Sequence, residues 1–471
     1  MAGLVAAADG RLLMSNPDNL LSGGKPAKPG ANRDRRNVTI RMSCDEGKSW
    51  SVLHRVEGGY SGYSDLAVGR DSTIYCFFER GAAKGNHYST ESLTLAAFPL
   101  PKKEALAGTL QSPAKAPALQ TPPREQLDLA LAPPVLDTTP GPQYDDKVRT
   151  GNMIIGLERT PKGRLWACWV GNGDNPNGFF MLASSDDGGV NWSRPRLVID
   201  PTDPPDSPQR RALVGNLWID PKGRLWLFFD QSLGYFDGRC GDWYTVCENP
   251  EADQPVWSPP VRFADGCTLC KPTVLGGGDW LVPVSLWTRD RIGPASLKQA
   301  HPDLDAIRMA NVFASSDQGR SWVRRGGVVF PKSDFDEHMI VELRDGRLWM
   351  LARTTYGMAE SFSADQGRTW SEPKPSAIQN VNARFFIRRL SSGRLLLVKN
   401  GPTDQRLTRR SHMTAFLSDD EGKTWKGGLV LDERASVSYP DGFQAPDGLI
   451  HILYDWNRHS DAEILLARFR E

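Results

Sequence analysis

The 471-residue sequence has no apolar run that approaches the length of a membrane span, so it offers no candidate for a spanning helix. It has no excess charge of either sign. Fifty-seven Lys and Arg face 56 Asp and Glu, which leaves no strong field to draw nucleic acid. No long helical periodicity stands out, which argues against a helical fold. Cysteine is scarce, seven in all, an odd number. Cys240, Cys247, Cys267 and Cys270 end in a CxxC pair. They allow a zinc site or, in an exported protein, a Cys240–Cys247 loop disulfide; the plain alternative is buried or loop thiols. Nothing else calls for a metal or an organic cofactor, so none is expected. The first ten residues lack the basic and apolar regions of a signal peptide. They read like the interior of a domain, so the expectation is a true start further upstream, or a broken or fused gene. Localisation is not legible from this end.

Glycine and tryptophan are plentiful, 45 and 15 residues, and they recur in one pattern, Ser-x-Asp-x-Gly-x-(Ser/Thr/Asn)-Trp. Its five copies begin at Ser43, Ser185, Ser315, Ser363 and Ser418. The chemistry is that of a tight hairpin. Ser and Asp side chains bond the turn backbone, Gly supplies a residue with positive φ, and Trp staples the turn to its sheet. A second repeat is a turn leading into an apolar strand, as in Pro161-Lys162-Gly163-Arg164-Leu165-Trp166 and Pro221-Lys222-Gly223-Arg224-Leu225-Trp226. Further copies lie around Gly278, Gly346, Gly393 and Gly448, and two more around Gly10 and Asp71. Repeats of about 40–50 residues built from short strands predict an all-β chain, a β-propeller. Six of these turns fall between residue 145 and the end, one full six-bladed ring. The two N-terminal ones make only a fragment of about two blades.

The expected domains are therefore a partial propeller over 1–98, a Pro/Ala-rich linker over 99–143, and a six-bladed propeller over 144–471. The linker holds Pro122-Pro123, Pro133-Pro134 and Pro140-Gly141-Pro142, which favour extended, unpaired backbone. Its end, from about Leu127, is more apolar and is expected to lie along the propeller and supply the strand that closes the ring.

These turns on a propeller resemble the sialidase (neuraminidase) superfamily of Asp-box (BNR) repeat proteins. The resemblance implies a Tyr nucleophile activated by a Glu, three Arg residues that clamp a substrate carboxylate, and an Asp acid/base on a loop. The stretch Asp336-Glu337-His338-Met339-Ile340-Val341-Glu342-Leu343 is similar to the family's Glu-bearing motif and leads to Arg353. This implies Glu337 as the partner of Tyr, with Arg353 in the clamp. The third Arg and the Tyr occur twice. One copy carries Arg36, Tyr63 and Glu79, the last as the acid that orients an Arg; the other carries Arg410 and Tyr439. In the second copy Pro440-Asp441-Gly442 replaces the family's Ser-Asp-Leu. Asp174 stands at the spacing of the acid/base. The first clamp Arg of the family has no match. Met153 takes its position, and Arg149 substitutes only if its loop bends back.

Three further side chains enter as candidates. Arg384 begins an apolar strand and is expected to look into the pocket as a substrate-binding group. His412, two residues after Arg410, shares its strand face. His412 or His338 would serve as a base if the enzyme used no Tyr nucleophile. The favoured reading is a retaining exo-glycoside hydrolase acting on terminal sialic acid or another acidic sugar. The alternatives are a propeller that binds carbohydrate without cleaving it, and an acidic-sugar glycosidase or lyase using a His. The expected partner is a sialylated or otherwise acidic glycan. No nucleic acid and no membrane span are expected. Residues 1–98 would need further blades from another chain, and the resemblance implies export if the true start lies upstream.

Overall fold

The computed structural model of the chain describes residues 2–18, 35–81, 90–101, 128–175, 177–201, 210–293 and 295–471. Most of the expected linker, residues 102–127, lies outside them. The chain divides into two compact units, Met1–Gln120 and Thr121–Glu471. Both are built from antiparallel sheets. Among the described residues no helix is long and apolar enough to cross a membrane.

Among its described residues the small unit holds two sheets. One has four strands, Gly3–Ala6, Leu12–Pro17, Val38–Ser43 and Ser51–Arg55; the other has three, Ser61–Val68, Thr73–Arg80 and Ser92–Pro99. Leu13, Val38, Ile40, Ile74, Cys76 and Phe78 form the core. The strand Thr73–Arg80 alternates. Ile74, Cys76 and Phe78 point inward, while Tyr75 and Phe77 are exposed. Such a period of two is expected of a sheet with one buried face and one wet face.

The large unit holds six sheets in chain order. Their second and third strands read differently. Leu165–Gly171, Phe179–Ser185, Leu225–Leu233 and Gly241–Cys247 are buried at every position, so both faces of these strands are covered. The outermost strands, such as Lys374–Pro375 and Lys426–Ala435, are largely exposed.

The two sequence repeats fall at fixed places in this architecture. The described residues form eight sheets, each with one of the eight glycine- or aspartate-marked turns; in seven it joins the first strand to the second, and in the five-stranded sheet it joins Gly215–Ile219 to Leu225–Leu233. Each Asp box joins the third strand to the fourth and occurs in the five sheets that have four strands. In the first of them Gly47 N donates to Ser43 Oγ at 2.8 Å, Ser49 N donates to Asp45 Oδ1 at 2.8 Å, and Trp50 Nε1 donates to the Gly47 carbonyl at 3.0 Å. Gly47 has φ +85°, the left-handed region that an L side chain adopts at a cost.

The first strands of several neighbouring sheets meet one another. Asn152–Arg159 touches Gly215–Ile219. Thr273 Oγ1 donates to the Ile340 carbonyl at 2.6 Å. Met339–Glu342 touches Phe386–Arg389, which touches Val437–Gln444, and Leu157 N donates to Asp441 Oδ2 at 2.9 Å. A buried ionic hub lies where they meet. Lys271 Nζ sits 2.9 Å from Glu158 and 3.0 Å from Asp441, and Arg384 pairs with Asp441 at 2.9 Å. Two cations face two anions, so no net charge is left in the interior. Buried charges are tolerated when paired in this way.

The segment expected to close the ring runs elsewhere. Asp137 exchanges both backbone hydrogen bonds with Val198, at the edge of the first sheet, and Gln231 Nε2 in the second sheet donates to the Ala130 and Ala132 carbonyls. The sixth sheet has three strands, Val437–Gln444, Ile450–Trp456 and Glu463–Phe469.

Candidate active site

Two residues with left-handed backbone face each other in the large unit. Glu337 (φ +43°) ends the loop before the strand Met339–Glu342. Tyr439 (φ +57°) sits in a bulge of Val437–Gln444, where pairing with the next strand slips between Ser438 and Asp441. Backbone of this kind costs about 1–3 kcal/mol per residue and persists only where its surroundings enforce it. Here it aims the Tyr439 hydroxyl at Glu337 Oε1, to which it donates at 2.6 Å.

Arg353, in the fourth sheet's second strand, completes the cluster. Its Nη1 lies 2.9 Å from Glu337 Oε2 and 3.3 Å from the Tyr439 oxygen, and its Nε donates to Asn382 Oδ1 at 2.6 Å. Burial opposes the Glu337 charge, but Arg353 and the Tyr439 hydroxyl outweigh it, and the carboxyl sits below the ordinary glutamate range. Burial, with Glu337 adding to it, pushes the Tyr439 phenol up to about 12, against the pull of Arg353, Arg458 and Arg410. In the resting site the phenol therefore keeps its proton and Glu337 stays ionised.

Next to Tyr439 in the chain, Ser438 borders an open cleft of about 720 Å³, together with Asp174, Arg410, Arg458 and His459 among others; Tyr439 and Glu337 themselves are buried beside it. Its volume is in the range of small-molecule sites. Arg410 Nη2 donates to the Asn382 carbonyl at 3.1 Å, and its guanidinium stands 5.5 Å from the Tyr439 ring centre. Among the described residues no carboxylate lies within ion-pair distance of it. Burial lowers its pKa, Tyr439 opposes this, and the nearby positive charges of Arg458 and Arg353 add to the lowering. Asp174 follows Asn172 and Gly173, both left-handed, and its Oδ2 lies 3.8 Å from Arg458 Nη1. Tyr235 stands beside it; burial, then Asp174, raises the phenol's pKa.

Arg458 has no counterpart in the sequence reading. It follows the strand Ile450–Trp456, and its guanidinium lies 4.4 Å from the Tyr439 ring centre. Nη2 donates to Ser438 Oγ at 2.8 Å and to Asp455 Oδ2 at 3.0 Å, and Nη1 rests 2.9 Å from the sulfur of Met153. No local motif marks it. The only signal was the apolar residue at position 153, and its complement stands 305 residues further along the chain.

Other expected residues are not gathered into this cleft. Arg149 is turned toward Asp146, Asn152 and the Tyr144 carbonyl, so it does not replace the missing arginine. Arg384 is fully buried on Asp441 and the Ile155 carbonyl, with its guanidinium 5.8 Å from the Tyr439 ring centre. It supports the site from below and is closed to solvent. His338 is buried against the Asn311 carbonyl at 2.8 Å, and burial lowers its pKa to about 4. His412 is exposed, with Nδ1 3.0 Å from Ser411 Oγ. Neither histidine reaches the Tyr439–Glu337 pair.

In the small unit the sequence register is off by one. Arg35, not Arg36, stacks on Tyr63 at 4.4 Å and pairs with Glu79 at 2.6 Å, while Arg36 lies over Tyr60. The cysteine expectations also change. Cys240 meets Cys267, with sulfurs 3.6 Å apart beside Asp230, rather than Cys247, and Cys270 lies against the Glu337 carbonyl. Asp230, Cys240 and Cys267 have the spacing of metal ligands, but Arg211 already pairs with the Asp230 carboxylate.

Residues 163–452 match the BNR repeat-like domain family. A sialidase of Micromonospora viridifaciens is 31% identical over 163 residues, which is 32% of this chain and 24% of that protein. The match thus spans about a quarter of that relative's length. Among solved structures, the Hadza microbial sialidase Hz136 superposes with a TM-score of 0.55 at 18% identity, covering 69% of this chain and 67% of that one. Trypanosoma rangeli sialidase in complex with sialic acid gives 0.51 at 14% identity, covering 69% and 54%. At these identities the likeness is one of fold.

Proposed function

The chain belongs to the BNR repeat-like family, of the sialidase superfamily, and on that premise we propose that residues 144–471 form a six-bladed propeller that hydrolyses a terminal sialic acid or another acidic sugar with retention of configuration. Six consecutive sheets, several of whose first strands meet, support the ring. The observation that carries the chemistry is the 2.6 Å hydrogen bond from Tyr439 to Glu337, with Arg410 and Arg458, both bordering the open cleft, standing over the Tyr439 ring.

A sugar with a carboxylate on its anomeric carbon would repel a carboxylate nucleophile, whereas a neutral phenol avoids that cost. The Tyr439 oxygen attacks the anomeric carbon while Glu337 takes the phenol proton, and Asp174 protonates the departing glycosidic oxygen. Water, deprotonated by Asp174, then cleaves the tyrosyl-sugar bond, and the proton on Glu337 returns to the phenol. With Glu337 held acidic and Tyr439 at about 12, free proton transfer is uphill, so it is coupled to bond formation at the sugar. Arg353 and Arg410 hold the substrate carboxylate, each charged bond contributing about 1.5–3 kcal/mol.

Release of fluorophore from a fluorogenic sialoside tests this reading. Tyr439→Phe and Glu337→Gln should each lower kcat on the order of a thousandfold. Activity unchanged in both would remove the pair from the mechanism. Met153 at the family's arginine position favours a second reading, in which the cleft holds an acidic sugar without cleaving it. Glycan binding by the unsubstituted protein with no turnover would select it.

A further inference from the structure

We propose that Arg458 is a carboxylate-binding residue of this cleft, delivered by the sixth sheet to the place that Met153 leaves without charge. The inference rests on the reading of the cleft as an acidic-sugar site and assigns a residue that no motif in the sequence marks.

The argument starts from what each guanidinium is already doing. Arg353 has Nε on Asn382 and Nη1 on Glu337 and Tyr439, so only part of its guanidinium remains for a substrate carboxylate. Arg410 and Arg458 both border the open cleft, and both stand over the Tyr439 ring. Arg458 is fixed from behind. Nη2 is held by Asp455 and Ser438, and Ser438 Oγ itself donates to Asp455 Oδ1 at 2.6 Å. Among the described residues its Nη1 has the Met153 thioether at 2.9 Å and, as a longer ion pair, an Asp174 oxygen at 3.8 Å. A thioether is a weak acceptor, so a charged donor is left facing the cleft without a strong partner. A guanidinium locked on one side and open on the other is organised in advance to receive an anion.

The geometry also accounts for Met153. The strand Asn152–Arg159 runs beside the sixth sheet, and Asn152 N donates to the Arg458 carbonyl at 2.9 Å. The turn after the sixth sheet's middle strand thus reaches the start of Asn152–Arg159. An arginine at 153 would meet the Arg458 guanidinium, and two cations in one place repel. An apolar residue at 153 and a cation at 458 are therefore one arrangement rather than a loss.

The experiment measures binding without turnover. In the Tyr439→Phe protein, the dissociation constant of free sialic acid is compared with that of its methyl ester by calorimetry. The added substitution Arg458→Met should weaken the free acid by about 10- to 100-fold and leave the ester, which lacks the charge, nearly unchanged. Met153→Arg combined with Arg458→Met should restore part of the loss. Arg458→Lys, which keeps a cation beside Asp455 and guards against misfolding, should bind at an intermediate level because it lacks the planar fork. Free acid bound equally well by the Arg458→Met protein overturns the inference and leaves the parent reading standing. A Tyr439→Phe protein that binds neither acid nor ester overturns both.

Discussion

The protein carries the arginine-and-tyrosine motif twice, and the two copies have different surroundings. In the large unit Tyr439 is 5% exposed and donates to Glu337, a residue of another sheet 102 positions away. In the small unit Tyr63 is 51% exposed, Arg35 lies over its ring, and Glu79 comes from the neighbouring strand of the same sheet. The strands repeat, but the number of sheets does not. Tyr439 meets a carboxylate from another sheet, whereas Tyr63 has one from the neighbouring strand. The comparison teaches that the motif specifies a strand with a turn, whereas the proposed chemistry requires what the other sheets bring to it.

The largest expected effect tests this contrast directly. Tyr439→Phe should abolish hydrolysis of a sialoside to about one part in a thousand, while Tyr63→Phe in the same chain leaves kcat and KM where they were. A loss of activity on changing Tyr63 would mean that the small unit contributes to the chemistry, and the contrast would break.

Much of this arrangement was legible in the residues. The marked turns count the sheets, because a tight turn needs a particular set of side chains and a glycine wherever the strand returns. Glu337, Tyr439, Arg353 and Arg410 were legible because each sits in a local motif. Arg458 was not, since nothing near it in the chain says that residue 153 lies alongside. Arg35 and Arg36 are adjacent and cannot be told apart in the sequence; the left-handed Asn37, which matches the left-handed His412, sets their register. An apolar strand start gives no sign of which way Arg384 turns; the hub carboxylate of Asp441 decides it. Cys240 and Cys267 meet through sheet pairing that spacing alone does not encode.

A middle-sized effect concerns how the two units cover their sheets. Phe229 lies in a strand buried on both faces, and Phe229→Ala should cost about 3–5 kcal/mol through lost contact and a residual cavity. Phe77 is 47% exposed on the wet face of the small unit's second sheet, and Phe77→Ala should stay within about 0.5 kcal/mol. Denaturant unfolding followed for each variant measures both. A cost above about 1 kcal/mol at Phe77 would mean that this face is covered in solution, as it would be if another chain supplied further sheets.

The smallest effect belongs to what the two units share. Hydrogen bonds from Ser49, first its hydroxyl and then its amide, lower the Asp45 carboxyl to about 2, and equivalent bonds from Thr424 lower Asp420 to about 2. Both carboxylates are at the surface, so each contributes little. The sign is nonetheless fixed. An acid whose folded pKa lies below its ordinary 3.8 stabilises the fold while ionised, and that contribution is complete above about pH 4 and lost as pH falls toward about 2. Trp50 and Trp425 cap these turns, so their fluorescence should report the loss in that window. Asp45→Asn should remove it at one turn and Asp420→Asn at the other, each without altering the rest of the acid profile. If the window instead lay near pH 4–6, it would come from something other than these turns. His338, whose burial lowers its pKa to about 4, would then be the first group to examine, because its stabilising neutral form is lost as pH falls through that range.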